Sequence, residues 1–439
     1  MFLKQYSSLL LTVSLLQPLI AVGQDEEELA SFFGDEKFIS IATGIAQPLS
    51  KAPAVASVIT AKEISHIGAT DIDEILETVP GLHVSRNIGY TPIYSFRGIH
   101  TTTNPQVLML INGIPLTNLF HGDRNLAWGG MPVEAISRIE IIRGPGSAIY
   151  GADAFAGVIN IMTKTSSEVS GTSVGLRYGT SNSKSFWLQT GGAAGDLRYM
   201  AIVEGRKTDG SSEKIGRDSQ SVLDLLSGAN ASLAPGSINL EGEAIDTRLE
   251  LTYNKFTFRA GSQIRNNGGL GVGLAEALDP SGQVASERYN ADLNYDNNGF
   301  TKNIGIKATV SYLQTSQEAD GDLRLYPPGS TGSPLNPFPY PDGVIGNPEV
   351  YERHYRTNFS ASFHGLARHE LMSGIGYYFG EIYKIKEEKN FGIDPKTGLP
   401  IFPGSPLVDV SGTPFVFLNE NERENSHIFI QDVWHLADD

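Results

Sequence analysis

Residues 143–164, RGPGSAIYGADAFAGVINIMTK, are rich in glycine and contain the type of turn that can cradle a phosphate. A Walker loop requires G-x-x-x-x-G-K-[ST], in which the lysine binds the phosphates. Gly151 and Gly157 are six residues apart rather than five, and Val158 stands where the lysine is needed. The stretch therefore does not predict a Walker-type site.

A dinucleotide fingerprint, G-x-G-x-x-G, must be followed by a helix. Gly144 and Gly146 have the first spacing, but Ile149 occupies the third glycine position and the β-prone segment 158–163 follows. We expect these glycines to supply turns and close backbone approach instead.

Other chemistry is sparse. The chain has no cysteine, which excludes disulfides and thiolate sites. His121 and Asp123 are two potential metal ligands without a third, so a solvated loop is the better interpretation and no metal site is predicted. No nucleophile–base pair or paired carboxylates are legible, so we predict no enzyme, although glycosidase carboxylates can converge only in the fold.

Composition narrows the class of partner and the compartment. The net charge of -16 over 439 residues argues against nucleic acid as a partner. Lys4, the apolar stretch Leu9–Ile20 and the small residues Ala21 and Gly23 predict a secretory signal peptide cut after Gly23. A buried N-terminal helix is the alternative. No later segment has 18 apolar residues, as a membrane helix would require.

The elements around these residues fall into two parts. Residues 54–164 mix short strands and helices, which predicts a small α+β domain. Thr60 and Glu63 have the spacing of a capping box, Thr70 is the expected cap of a helix over 71–79, and Pro132 suits the first turn of another helix.

Beyond Thr165 the hydrophobic pattern alternates with a period of two. We predict about ten strands, near 170–178, 184–191, 197–206, 245–253, 255–265, 286–296, 302–316, 352–364, 370–385 and 424–436. After the first, their connections alternate between short and long, which is typical of an outer-membrane β-barrel. A secreted soluble β-protein that binds glycan or protein is the alternative.

The glycine stretch resembles the motif that ends the plug domain of TonB-dependent outer-membrane receptors, RGP-x-S-x-x-Y-G-x-x-A-x-x-G-V-I-N-I-x-T. The resemblance extends upstream to an "RG" strand and to a "DG-x-P" turn in which Asn replaces Asp. The plug residues that carry it are Arg97, Gly98, Asn112, Gly113, Arg143, Gly144, Pro145, Tyr150, Gly151, Gly157 and Asn160.

The resemblance implies a plug inside a barrel of the outer membrane of a Gram-negative bacterium, surrounded by lipid, with plug and tail facing the periplasm. It implies active import of a ferric siderophore or a similar scarce nutrient, driven by the TonB protein. No cofactor is expected, because the iron would belong to the transported chelate.

A TonB box is expected on the N-terminal tail, at Glu36, Phe38, Ile39, Ile41 and Thr43. A β-prone segment on such a tail can add as a strand to a partner's sheet. The alternative is that these residues form the plug's own first strand. Arg143 and Glu140 could pair with charges of the barrel lumen or form a solvated pair.

Two plug loops are rich in residues suited to ligand recognition. Aromatic rings supply contact area, and arginine pairs with anionic groups of a chelate. The candidates are Arg86, Tyr90, Tyr94, Phe120, His121, Arg124 and Trp128.

We therefore predict a signal peptide at 1–23, a periplasmic tail at 24–50, a plug at 51–165 and transmembrane barrel strands over 166–439. A lumen that holds a plug needs about 22 strands. About ten strands thus predict an incomplete barrel and a truncated receptor.

Overall fold

The computed structural model describes residues 37–41, 44, 47–52, 54–87, 89–124, 130–146, 150–211 and 213–434. The predicted signal peptide lies outside these residues, and so do Glu36, Thr43 and Trp128. The described chain forms two regions, which we name the plug (residues 37–163) and the wall (the antiparallel sheet that follows).

The plug is a mixture of short strands and short helices, as the sequence predicts. Its strands are β1 (Phe38–Ile39), β2 (Gln47–Pro48), β3 (Ala56–Thr60), β4 (Leu82–Arg86), β5 (Pro92–Phe96), β6 (Val107–Ile111), β7 (Ile114–Pro115), β8 (Ile136–Arg143) and β9 (Gly157–Thr163). The α-helices are α1 (Ala61–Ile67) and α2 (Ile72–Leu76), and 3-10 turns occupy Leu49–Lys51 and Gly151–Ala154. The central sheet has the order β3-β8-β9-β6-β7, with β6 and β9 parallel.

Helix capping follows the sequence at α1 and departs from it at α2. Both bonds of the Thr60–Glu63 capping box are present. The cap of α2 is Asp71 rather than Thr70, because the Asp71 carboxylate accepts the Asp73 N–H. The helix ends at Leu76, before the expected end at residue 79. The helix expected at Pro132 is also wrong, since Pro132 forms an isolated β-bridge with Asp71.

The plug buries an apolar core between its sheet and its helices. The core joins aliphatic side chains of the central strands to residues of α2 and to Phe96 of β5. A second, smaller cluster on the sheet includes Ile39, Ile41, Leu110 and Val158. Burial of this apolar surface is the main term that stabilises the plug.

Ten long strands form the wall, which confirms the sequence prediction. They are β10 (Gly171–Tyr178), β11 (Lys184–Ala194), β12 (Leu197–Thr208), β15 (Gly242–Tyr253), β16 (Phe256–Gly269), β17 (Gln283–Asn297), β18 (Ile304–Ala319), β20 (Val344–Leu366), β21 (His369–Lys389) and β23 (Asn421–Trp434). The loops add β13 (Lys214–Ile215), α3 (Ser219–Ser227), β14 (Gly236–Ser237), β19 (Arg324–Tyr326) and β22 (Val408–Asp409).

Neighbouring wall strands are antiparallel and follow chain order. Over the described residues, β10 pairs only with β11 and β23 pairs only with β21, so the wall is an open sheet there. One end of the wall has short turns, such as Asn254-Lys255 between β15 and β16, and the other has the long connections. We call the latter the loop end.

The two faces of the wall differ in chemistry. The outer face, which points away from the plug, exposes large apolar side chains such as Leu176 (85% exposed), Leu293 and Ile428. The inner face buries charged and polar side chains, including Asp246, Arg265 and Arg288. This arrangement suits a sheet with lipid outside and a polar plug inside.

None of the helices in the described residues is long and apolar enough to cross a membrane.

Candidate functional site

The glycine stretch closes the plug's central sheet and has a structural role. A Cβ added at Gly157 would lie 2.6 Å from the Phe96 ring and 2.8 Å from the Ile142 carbonyl oxygen, so only glycine fits there. Gly144 has a φ of 127° and donates its N–H to the Ala156 carbonyl. Tyr150 packs against the smaller plug cluster, and Gly151 begins a 3-10 turn.

The other plug-motif residues build turns around the same sheet. The Asn160 side chain accepts the Gly113 N–H at 2.9 Å, and the Asn112 side chain accepts the Thr163 N–H at 3.0 Å. Asn112 has a φ of 51° and Gly113 a φ of 79°, which suits the tight turn between β6 and β7. Arg97 and Gly98 likewise have positive φ after β5.

The expectation that Arg143 and Glu140 pair with lumen charges or with each other in solvent is wrong. Arg143 donates to the Pro80 carbonyl at 2.8 Å and to the Ser57 hydroxyl at 3.2 Å. Glu140 is fully buried and accepts from the Arg138 guanidinium at 2.9 Å. Glu140 thus lies in the interior of the plug, and Arg143 joins β8 to other parts of the plug.

The described part of the predicted TonB-box segment, residues 37–41, is folded onto the plug in this structure. Phe38 and Ile39 pair with Gln47 and Pro48, and Ile39 and Ile41 are 0% and 2% exposed. The Glu140 carboxylate accepts the Ser40 N–H at 3.0 Å and the Ile41 N–H at 3.1 Å. Phe38 and Ile39 thus form the plug's first strand here, in agreement with the alternative interpretation.

Polar contacts join the plug to the wall. The Arg206 guanidinium of β12 pairs with Asp71 at 2.5 Å, and Arg177 of β10 pairs with Glu134 at 2.8 Å. Arg265 of β16 donates to the Gly130 carbonyl at 2.9 Å. A Cβ at Gly130 would lie 2.5 Å from Asp71 and 2.7 Å from Arg206, so this glycine leaves room for the ion pair.

A cavity of about 700 Å³ lies between the plug and the loop end of the wall. Its plug side includes the β4–β5 loop, with Arg86 and Tyr90, and its wall side includes Trp187 and Glu204. Its volume is in the range of small-molecule and cofactor sites. It is the candidate functional site.

Arg86 and Tyr90 are the predicted ligand residues that line this cavity. Arg86 pairs with Asp73 at 2.6 Å, and its guanidinium lies 5.5 Å from the centre of the Tyr90 ring. Burial, reinforced by Asp71, raises the pKa of Asp73, while Arg86 and Tyr94 oppose that rise. Asp73 thus fixes Arg86 at the edge of the cavity.

Tyr94 and Arg124 do not reach the surface, which corrects their prediction as direct ligand contacts. Both are buried, and the Arg124 guanidinium lies 4.6 Å from the centre of the Tyr94 ring. Tyr94 donates its hydroxyl to Asp73 at 2.5 Å, and burial together with Asp73 raises the pKa of Tyr94 well above its usual value. These residues support the β4–β5 loop from inside the plug.

Phe120 and His121 lie apart from the cavity lining, on a plug loop that contacts β20. The Glu352 carboxylate accepts the Leu119 N–H at 2.7 Å and the Phe120 N–H at 3.1 Å. Phe120 stacks on His121 and meets the edge of Phe417, which belongs to the loop before β23. The structure therefore separates the predicted ligand residues into two surfaces.

No group of three or more potential metal-binding side chains is present among the described residues. Asp123 is buried and accepts a hydrogen bond from the Asn118 side chain at 3.2 Å.

Sequence reasoning missed the wall residues of the cavity, chiefly Trp187, Glu204 and Arg206. They lie on the inner face of β11 and β12, where Met200 and Ile202 share the face with Glu204 and Arg206. The sequence does contain a pattern that could have indicated them. Along the inner face of β12, apolar residues are followed by charged residues toward the loop end.

A plug seated on the charged inner face of a sheet whose other face is apolar is the arrangement expected of a TonB-dependent outer-membrane receptor. Comparison with known proteins confirms the predicted class and outer-membrane location. Residues 48–158 match the family model of the TonB-dependent Receptor Plug Domain.

Among curated proteins, the chain is similar to the vitamin B12 transporter BtuB of Vibrio vulnificus, with 36% identity over 140 residues, 31% of this chain and 22% of that protein. BtuB of Vibrio cholerae is 28% identical over 196 residues, 45% of this chain and 31% of that protein. Among solved structures, the pyoverdine outer membrane receptor FpvA of Pseudomonas aeruginosa matches with a TM-score of 0.63 and 15% identity. That match covers 92% of this chain and 57% of the receptor, so the chain spans little more than half the length of FpvA.

Proposed function

We propose that this chain contributes the plug and ten wall strands of a TonB-dependent transporter that imports a ferric siderophore, vitamin B12 or a similar scarce nutrient. The observation that carries the proposal is the cavity at the loop end, where Arg86 and Tyr90 of the plug face Trp187 of the wall. A cargo bound there would touch both regions at once, so its binding can alter their contact. The relatives named above are a vitamin B12 transporter and a pyoverdine receptor.

The polar contacts at the plug–wall interface are consistent with movement of the plug during transport. The contacts described above are ion pairs and hydrogen bonds, such as Asp71–Arg206 and Glu134–Arg177. Such contacts exchange readily with water, unlike a dry apolar interface. Where the contacts are polar, the plug can shift without exposing apolar surface. Apolar contacts would also be broken at Ala135, which packs against Met200 and Ile202, and at Phe120, which packs against Val350 and Ile382.

We assign TonB binding to the segment Phe38–Ile41. Its β-prone residues lie at the plug's edge, held by the two-residue pairing with β2 and by Glu140. Release from these contacts would free a strand for addition to the sheet of a partner.

An uptake assay tests which cargo is imported. A binding assay on the same protein distinguishes a failure to bind the cargo from a failure of energy coupling. Cells that depend on this protein should accumulate radiolabelled cyanocobalamin or ferric pyoverdine, and the protein should be recovered in the outer-membrane fraction. Recovery only from the soluble periplasm or the medium would contradict the receptor and favour a secreted binding protein.

Ile41→Pro tests the coupling segment. Proline cannot donate to a partner strand, so uptake should be abolished while ligand binding is retained. Ile41→Val keeps the N–H and should transport normally. If Ile41→Pro still transports, TonB binds elsewhere.

A further inference from the structure

Glu204 lies on β12 between the part of the strand that packs against the plug and the part that lines the cavity. Further down the same face of β12, Met200 and Ile202 pack against Ala135 and Val169. In the register of the wall, Glu204 lies between Trp187 of β11 and Asp246 of β15. Trp187 and Glu204 both line the cavity.

The Glu204 side chain is buried, and one of its two carboxyl oxygens is buried without a hydrogen-bond partner. Glu204 is 3% exposed, and its Oε1 atom has no hydrogen-bond partner. Among the buried side-chain atoms that lack a partner in the described residues, it is the only carboxylate oxygen.

The nearby charged groups make their hydrogen bonds to other residues. Arg248 of β15, whose charge attracts the Glu204 carboxylate, donates to the Thr247 and Ser262 carbonyls. Asp246 accepts from Arg265 at 2.8 Å and from Gln263 at 2.9 Å. Arg206, the next inner-face residue along β12, pairs with Asp71. Lys164 donates to the Gln189 side chain at 3.3 Å.

An unpaired buried carboxylate is among the least favourable groups that a fold can contain. Such a group either takes up a proton or is satisfied by something outside the chain, and here it borders a cavity large enough for a ligand. The Trp187 side chain beside it offers an aromatic surface next to the acceptor. A carboxylate accepts hydrogen bonds only, so the complementary ligand group is a donor.

We propose that Glu204 is a cargo-binding residue, and that the cargo presents an N–H or O–H donor, such as an amide, hydroxyl or ammonium group, to its carboxylate beside Trp187. This inference rests on the proposed function, because it takes the cavity as the cargo site. It makes Glu204 a determinant of specificity: a cargo with only acceptor atoms on that side leaves the carboxylate unsatisfied.

The first test needs no ligand. The apparent Tm of the full chain in detergent is measured for wild type and Glu204→Gln at pH 8. Glu204→Gln removes an unpaired charge and should raise the Tm by about 2 to 4 °C. Glu250→Gln is the matched control: Glu250 is a buried inner-face carboxylate that accepts the Ser166 N–H at 3.3 Å, and its substitution should not raise the Tm. A Glu204→Gln protein no more stable than wild type would overturn the proposal, because the Glu204 side chain would then carry no uncompensated charge.

The second test uses cyanocobalamin and ferric pyoverdine, both of which carry N–H donors. For a probe that the wild type binds, Glu204→Ala should weaken binding by about 10- to 100-fold. The affinity of Glu204→Gln should lie between those of wild type and Glu204→Ala, and Glu250→Gln should bind the probe as tightly as wild type. Unchanged affinity in Glu204→Ala would show that internal water alone satisfies the carboxylate and would overturn the proposal.

The two tests separate this proposal from the function on which it rests. If wild type binds neither probe, the proposed cargo is contradicted, while the Tm comparison still decides whether Glu204 is an unpaired charge.

Discussion

The plug and the wall solve the same problem of burial with opposite chemistry. In the plug, the fully buried side chains are mostly apolar, as at Ile72, Ile139 and Ile159. In the wall, one register row of the inner face runs through Trp187, Glu204, Asp246, Gln263, Arg288, Thr315 and Glu352. A parallel row of the outer face runs through Tyr199, Leu251, Phe258, Leu293, Val310, Thr357 and Tyr377.

The difference teaches that exposure has meaning only relative to the surrounding medium. An exposed apolar side chain on the plug, such as Ile67, faces water and is tolerated there. An exposed leucine on the wall faces lipid, where it is the favoured residue and a charge is expensive. The plug can therefore fold on the ordinary hydrophobic effect, whereas the wall also depends on the medium around it.

The largest expected effect is in the plug core. Phe96→Ala should destabilise the plug by about 3 to 5 kcal/mol, because it removes a buried ring on which Gly157 packs. The measurement is hydrogen exchange of the β6 and β9 amides in the full chain, which should lose protection. Phe155→Ala, at an exposed plug ring, should change protection by less than about 0.5 kcal/mol. Equal effects of the two changes would contradict the apolar-core account of the plug.

The second prediction concerns the outer face of the wall. Leu293→Arg, at a position 47% exposed, should destabilise the protein in lipid bilayers by about 2 to 4 kcal/mol. The matched control is Leu225→Arg on the loop helix α3, where the side chain is 82% exposed and should face water. Unfolding by denaturant in vesicles compares the two. If both variants are as stable as wild type, the outer face is not in contact with lipid.

The wall was the more predictable of the two regions. Alternation alone located all ten strands, since a face that meets lipid must stay apolar along the whole strand. The ends were less accurate: β20 was expected over 352–364 and runs from Val344 to Leu366. The part of β20 nearest the loop end lies outside the alternating segment. Only its pairing with β19 and β21 shows that this part is a strand.

The plug side of the candidate site could be predicted from the sequence, whereas the wall side could not. Arg86 and Tyr90 stand out by residue type, as an arginine and an aromatic residue, and the structure places Arg86 at the end of β4 and Tyr90 in the loop after it. Tyr94 and Arg124 have the same residue types, but their burial is decided by packing of β5 against the 118–124 loop, which no local pattern records. Glu204 was missed because a single charge in an alternating strand looks like any other inner-face residue until the plug is in place.

The third prediction probes how tightly the plug sheet is packed. Gly157→Ala should destabilise the plug by about 1 to 3 kcal/mol, because the added methyl group meets the Phe96 ring and the backbone oxygen of Ile142. Gly299→Ala, in an open wall turn with no atom within 4 Å, is the control and should have little effect. Hydrogen exchange at β9 measures the difference. A Gly157→Ala plug as protected as wild type would mean that Phe96 has room to shift.

The smallest effect is expected where the tail meets the plug's water-facing surface. Lys37 pairs with Glu63 at 2.7 Å, and both side chains are more than a third exposed. Burial alone would raise the pKa of Glu63, but its bonds to Lys37 and Thr60 prevail and hold that pKa below its usual value. Because the pKa is lowered by folding, the stabilisation is present above the unfolded pKa and is lost as the pH falls through the folded one.

Glu63→Gln should therefore cost only about 0.5 kcal/mol at pH 7, since solvent screens the pair. The cost should vanish near pH 3, where the wild-type carboxylate is also protonated. Exchange of the α1 and β1 amides at the two pH values measures it. A cost that persists at pH 3 would mean that Glu63 holds the tail through its shape and the capping of α1, rather than through its charge.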